Sequence, residues 1–255
     1  MKISLITVTF NSAKTLADTI ESVLRQDYDD YEYLVIDGGS KDSTIDIIKR
    51  YEPLFGGKLL WISEPDKGMY DGINKGIRMA TGDVVGIINS DDFYHRQDIF
   101  QIINDSFVEN PGIRAIYGDV RFVNPDNLDK TVRYYSSANF KPSKFRWGWM
   151  PAHPTFFTYR ENFEKYGYYQ YDYHIAADYE LLTRFLYTHK LPSKYIPVDF
   201  MKMRTGGRST NGWRANVLLN KEIVRACKEN GIWTCMPMLF LKYFVKVFEL
   251  VKTKN

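Results

Sequence analysis

Val84-Val85-Gly86-Ile87-Ile88-Asn89-Ser90-Asp91-Asp92-Phe93-Tyr94 is an apolar run that stops abruptly at two adjacent carboxylates. Its first five residues, mostly β-branched, read as a strand buried on both faces, the pattern of a parallel sheet covered by helices. Asp91 and Asp92 then stand at the carboxyl end of that strand, the edge where open α/β sheets bind ligands. A carboxylate pair there suits a hard divalent cation, which commonly carries substrate phosphates. The alternative is a solvated acidic turn that caps the next helix.

The residues on the amino-terminal side repeat the same grammar. Ile3 to Thr9 reads as a strand ending at Phe10-Asn11-Ser12, a turn with helix-capping residues, and a helix follows over Lys14 to Gln26 with Leu16, Ile20, Val23 and Leu24 on one face. Tyr33 to Ile36 is a second strand. It ends at Asp37-Gly38-Gly39-Ser40, and Ser43-Thr44 opens a helix that closes near Tyr51. Leu59 to Ile62 is a third strand, running into the turn Glu64-Pro65-Asp66-Lys67-Gly68 and a helix over Met69 to Ala80. This β-α-β alternation with short connections predicts a mostly parallel sheet wrapped by helices. The polar loops after the first, second and central strands then share one edge and converge on one ligand.

On the carboxyl side the spacing predicts a helix over Gln97 to Val108 and a strand over Ala115 to Phe122. Residues 131–160 mix Tyr, Trp, Phe, Ser and Pro and suggest irregular structure with short strands. Helices are expected at Ala176 to His189 and at Asn211 to Glu229, with a strand at Tyr195 to Met203 between them. Met236 to Val251 is amphipathic, with Lys242 and Lys246 four apart. It reads equally as an interfacial helix on an anionic membrane or as a helix docked on protein. The divisions expected are residues 1–122 and 123–210, two halves of one domain, and 211–255, a helical extension.

Composition narrows the class. At 255 residues and 44% apolar, the chain holds enough for one large core. Two cysteines, Cys227 and Cys235, offer neither a disulfide framework nor metal-ligand spacing. The chain opens on a strand pattern and lacks a secretory signal or a membrane-span run, so a cytoplasmic protein is expected, peripheral at most on the inner face of the membrane. The net charge of +3 is uneven: residues 201–255 carry eleven Lys/Arg against three Glu, a local +8. Such a basic end meets an anionic membrane or a phosphorylated substrate, or simply solubilises a face. Nucleic-acid binding is not expected, because the basic residues lack a recognition motif. The first turn has no glycine fingerprint for a dinucleotide, and no P-loop is present.

Four segments together carry a resemblance. They are Thr7-Val8-Thr9-Phe10-Asn11, residues 35–44 from Val35 to Thr44, residues 64–76 from Glu64 to Gly76, and Asn89-Ser90-Asp91-Asp92. In this order they resemble a family 2 glycosyltransferase of the branch that builds bacterial capsule, O-antigen or exopolysaccharide. The resemblance implies a single GT-A-type, Rossmann-like nucleotide-binding α/β domain and hexosyl transfer with inversion. It implies a nucleotide-diphosphate sugar donor, UDP-linked by first expectation, and a saccharide or polyprenyl-diphosphate-linked acceptor. By the same likeness Thr7, Thr9 and Asn11 belong to the nucleotide pocket and Asp37 faces the base. Asp66 and Lys67 fall in the loop that closes on the nucleotide. Asp92 is the direct ligand of Mg²⁺ or Mn²⁺, and Asp91 lies nearer the ribose or the metal's waters. Where the family pattern has an acidic residue two before the last Asp, this chain has Ser90, which puts more weight on one carboxylate.

Inverting transfer needs a carboxylate to take the acceptor's proton. Ala176-Ala177-Asp178-Tyr179-Glu180-Leu181 resembles the family's base motif, and Asp178 is the residue selected. Glu180, two residues on, points elsewhere on a helix. His153, in Pro151-Ala152-His153-Pro154, and Arg208, in Gly206-Gly207-Arg208-Ser209, are candidates for the donor diphosphate or the acceptor. Two other functions compete with this one. A sugar nucleotidylyltransferase would carry a Gly-rich, Arg-containing first turn, which Thr9-Phe10-Asn11-Ser12 lacks. A non-catalytic sugar- or nucleotide-binding subunit would tolerate loss of Asp92 and Asp178, and both are present.

Overall fold

The computed structural model describes residues 1–206 and 213–240. Its amino-terminal elements are β1 (Ile3–Thr9), α1 (Leu16–Leu24), β2 (Tyr31–Asp37), α2 (Thr44–Tyr51), β3 (Leu59–Ser63), α3 (Met69–Met79) and β4 (Val84–Ile87). Then come β5 (Phe93–Tyr94), α4 (Ile99–Val108), β6 (Ala115–Asn124), β7 (Asn127–Tyr135), β8 (Phe157–Tyr159) and α5 (Glu161–Tyr166). The last are α6 (Ala177–Thr183), which continues as a π-helical turn over Arg184–Thr188, β9 (Ser193–Arg204) and α7 (Trp213–Glu229).

Among the described residues the strands form one sheet in the order β3-β2-β1-β4-β8-β6-β9-β5, with β7 paired to β6. β1 runs parallel to β2 and β4, β2 to β3, and β6 to β9, while β8 lies antiparallel between β4 and β6. Strand alternation divides the apolar runs between two layers. Ile3 and Leu5 of β1 and Tyr33 and Val35 of β2 pack with Leu16, Ile20 and Val23 of α1 and Ile103 of α4. Ile6, Leu34 and Ile36 face the other way, onto Ile73 and Ile77 of α3 and a core that takes in α6 and α7. Gly72 and Gly76 let α3 lie directly on β1: a Cβ on either would stand 2.7 Å from Val8 or 2.6 Å from Ile6.

Two expectations change. Residues 127–135, assigned in part to irregular structure, form β7, a hairpin partner of β6 through the Asn124–Asn127 turn. Six of its nine residues are exposed, so no hydrophobic alternation marks it. The segment 211–255 is not all an appendage: Ile223, Ala226 and Cys227 of α7 belong to the same core as Ile6 and Ile36. Most of the amphipathic stretch 236–251 lies outside the described residues. No described helix is long and apolar enough to cross a membrane.

Candidate active site

The carboxyl ends of β1, β2 and β4 lie side by side, because Thr9 pairs with Asp37 and Ile6 with Ile87 in parallel register. The loops leaving β1 and β2 are laced together. Asn11, in the left-handed region at φ 51°, accepts from the Lys41 amide at 2.8 Å and donates its own amide to the Ser40 hydroxyl at 2.8 Å. Ser12 donates its amide to Thr44 at 2.9 Å. Thr9 is 1% exposed and its hydroxyl has no hydrogen-bond partner among the described residues, an orphaned polar atom at the strand end where a ligand is expected.

Two candidates turn out to be supports. Thr7 is fully buried and its hydroxyl accepts from Tyr33 at 2.9 Å, so it belongs to the layer under α1 and not to a pocket wall. Asp37 is also fully buried. Its carboxylate accepts from the Gly39 and Ser40 amides at 3.1 and 2.9 Å and from the Ser40 and Ser63 hydroxyls at 2.5 and 2.6 Å. A base would have to compete with four donors, so in this structure Asp37 shapes the turn rather than facing a ligand. Asp66 lies against the loop that leaves β2. Its carboxylate accepts from the Gly68 amide at 2.9 Å and packs where a Cβ of Gly38 would stand, 2.8 Å away. Lys67 is exposed, with its ammonium 5.5 Å from the Tyr171 ring centroid.

Asp91 and Asp92 follow a tight turn closed by the Asp92 amide on the Asn89 carbonyl. Asp92 is 1% exposed and accepts from the Asn89 side-chain amide at 2.8 Å. Burial raises the pKa of both carboxyls, and for Asp92 the neighbouring Asp91 raises it further. Two crowded carboxylates with so few donors make a site at which a further cation would relieve the cost of their charge. Carboxylate oxygens are donors of the kind that would suit Mg²⁺ or Mn²⁺. Among the described residues no third acid, His or Cys joins them. Ser90 instead ties loops together through Ser12 Oγ at 3.0 Å and Thr15 Oγ at 2.8 Å.

The basic group nearest this pair was not picked out from sequence. Arg204, the last residue of β9, donates to the Asp91 main-chain carbonyl, pairs with Asp18 of α1 and lies 5.0 Å over the Phe93 ring. The clue available was its place two residues before Gly206-Gly207 in the sequence.

Asp178 stands in the first turn of α6, and Tyr70 carries it to the same edge. Tyr70 opens α3 directly after the 64–68 loop, and its hydroxyl lies beside the Asp178 carboxylate and donates to the Ile175 carbonyl at 2.5 Å. Burial raises the Asp178 pKa to about 6, against lowering by the Tyr179 amide and Tyr70. A partly exposed carboxylate of that pKa is poised to accept a proton near neutrality. Glu180, by contrast, is 1% exposed and bound by Arg184 through two contacts of 2.9 Å.

His153 is not at the surface of the cleft. It is 8% exposed and its Nε2 pairs with the Tyr169 hydroxyl at 2.7 Å, while burial pushes its pKa down to about 4. It is a neutral anchor for Tyr169, whose ring stacks on Tyr70 at 5.9 Å. Arg208 lies outside the described residues.

The parallel strands end on one loop-bearing edge, with Asp91 and Asp92 in the loop after β4 and Asp178 beside Tyr70 at the start of α3. Residues 4–173 match the family model for glycosyl transferase family 2, and the chain belongs to that family. It is similar to a PGL/p-HBAD biosynthesis glycosyltransferase of Mycobacterium bovis, 26% identical over 222 residues, which cover 87% of this chain and 82% of that one. Its fold matches residues 1–349 of Staphylococcus aureus TarS in complex with UDP-GlcNAc, with TM-score 0.63, 17% identity and coverage of 88% of this chain and 67% of that. It also matches the mannosyltransferase PcManGT of Pyrobaculum calidifontis in complex with GDP-Man and Mn²⁺, with TM-score 0.69, 20% identity and coverage of 92% and 66%. The chain is therefore a glycosyltransferase with a GT-A-type fold.

Proposed function

We propose that this enzyme transfers a sugar from a nucleotide-diphosphate sugar, UDP-linked in the first instance, to a hydroxyl of a saccharide acceptor, with inversion at the anomeric carbon. The observation that supports the reading is Asp178, pKa about 6, beside Tyr70 at the start of α3, the helix that follows β3, while Asp91 and Asp92 lie in the loop after β4. Asp178 takes the proton of the acceptor hydroxyl as its oxygen bonds to the anomeric carbon. The bond from that carbon to the diphosphate oxygen breaks, and its electron pair leaves with the nucleotide. Thr9, Asn11 and Asp66 shape the nucleotide side of the cleft. Asp92 and Asp91 would hold Mg²⁺ or Mn²⁺, which neutralises charge on the leaving diphosphate. The nucleotide sugars held by TarS and PcManGT support the donor class.

The acceptor reading is a polyprenyl-diphosphate-linked saccharide of surface-polysaccharide synthesis, reached at the membrane's inner face. The +8 charge of residues 201–255 supports it.

The test pairs binding with turnover. UDP, GDP, CDP and dTDP are titrated calorimetrically with and without Mn²⁺ into wild type and Asp92→Ala, and nucleotide release from UDP- and GDP-sugars is followed with saccharide acceptors. One diphosphate binds selectively with Mn²⁺, Asp92→Ala abolishes that enhancement, and Asp178→Asn binds normally but turns over ~100-fold or more slowly. Wild-type turnover by Asp178→Asn overturns the base assignment. No binding of any diphosphate overturns the donor site.

A further inference from the structure

We infer that Glu222 of α7 is a positioning residue for Asp178, an inference that rests on the reading of Asp178 as the base. Glu222 is 7% exposed, and its carboxylate accepts three consecutive main-chain amides: His174 at 2.8 Å, Ile175 at 2.9 Å and Ala176 at 2.8 Å. These residues lead directly into α6, whose N-terminus has no side-chain cap of its own. The same tripeptide is held from the opposite side by Tyr70, through the Ile175 carbonyl. Two partners distant in sequence thus fix the segment that aims Asp178.

The rest of α7 grips the same loop. Arg225 pairs with Asp172 at 2.5 Å, and Glu229 accepts from the Tyr173 hydroxyl at 2.6 Å. Residues 222, 225 and 229 share one helix face, and the Ile223, Ala226 and Cys227 side chains anchor that helix in the core. Nothing of this is local: 46 residues separate Glu222 from Ala176. Three consecutive amides on one carboxylate, the Ala176 amide buried and the other two partly so, make a directional clamp, and removing the acceptor leaves all three unpaired. Glu222 touches no reacting atom in this arrangement; it acts through the backbone of 174–176 and through its charge. The groups facing Asp178 are Tyr70 from α3, the Tyr169 hydroxyl, the Tyr179 amide and Glu222.

The experiment follows the Asp178 carboxyl directly in the full chain labelled with carboxyl-¹³C aspartate, its resonance assigned by Asp178→Asn. In wild type the titration midpoint lies near 6. In Glu222→Gln it falls toward the ordinary Asp value, because a like charge is gone and the segment opens to water. Amide exchange on wild type keeps the claim testable if that variant does not fold. His174, Ile175 and Ala176 exchange ~100-fold or more slowly than unprotected amides. An unmoved midpoint in folded Glu222→Gln, or unprotected exchange at those amides in wild type, overturns the inference. Loss of thermal stability with the midpoint unmoved also overturns it, leaving Glu222 as scaffold. The resonance reports whether or not Asp178 is the base, which the Asp178→Asn turnover assay decides separately.

Discussion

Arg204 at the end of β9 and Asp18 in α1 form an ion pair across 186 residues of sequence, and the same guanidinium holds the main-chain carbonyl of Asp91. The ion pair fastens β9 to α1, and the carbonyl bond fastens it to the turn that presents the acidic residues. Arg204 is also the cation that lowers the pKa of both Asp91 and Asp92. Replacing Arg204 with Ala is expected to weaken Mn²⁺-dependent nucleotide-diphosphate binding ~10-fold, about 1.4 kcal/mol. Asp18→Asn keeps the carbonyl contact and costs less. Calorimetry on the two variants decides it, and unchanged affinity in Arg204→Ala removes this strap from the account.

Asp37 is expected to act on stability before it acts on binding. Four donors converge on its buried carboxylate, so Asp37→Ala strands two amides and two hydroxyls and costs about 2–4 kcal/mol in urea denaturation. A stability within about 0.5 kcal/mol of wild type would mean that those bonds are replaced easily, and would return Asp37 to the ligand side.

The raised pKa of Asp178 sets a stability–activity conflict. Its folded value of about 6 exceeds the unfolded 3.8, so the native state binds the proton more tightly. Stability therefore falls as pH rises from about 4 to 6, and the penalty persists above 6. Asp178→Asn should raise the melting temperature at pH 8 and leave it unchanged at pH 3.5, while abolishing transfer. In wild type, transfer should fall as pH drops below about 6, as the carboxylate takes up its proton.

His153 makes the opposite linkage. Burial lowers its pKa from 6.5 to about 4, so its contribution to stability is full above 6.5 and is lost as pH falls through 4. His153→Ala leaves the Tyr169 hydroxyl unpaired and opens a cavity, which costs about 2–4 kcal/mol at neutral pH. The ring should show no titration between pH 5.5 and 8 by NMR. A midpoint inside that range would put His153 back at the cleft.

Gly86 marks where the central strand meets β8. A Cβ there would lie 2.0 Å from the Phe157 ring, within the fully buried contact between β4 and the strand wedged beside it. Gly86→Ala is expected to cost about 3 kcal/mol or more, and Phe157→Leu in the same chain to recover part of it. Thermal melts of the single and double variants test the coupling.

Much of the donor side was legible because it is local. Short apolar runs ending in Asn11, Asp37 and Asp92 specify strands, their carboxyl ends and the loops after them within a few residues each. Parallel order follows from the helices between them, and the position of Asp178 in the first turn of a helix is likewise a short-range fact. What tertiary structure decided is which of those polar groups already has a partner within the protein. Thr7 and Asp37 have the right sequence positions, yet Tyr33 and the 39–63 donors occupy them. β7 and β8 take their places from pairing with β6, not from their own periodicity. Arg204 and Glu222 meet their partners only when β9 and α7 close on the first half of the chain. A charge pairs by distance in space, and no pattern of neighbours in a sequence encodes a partner 46 or 186 residues away.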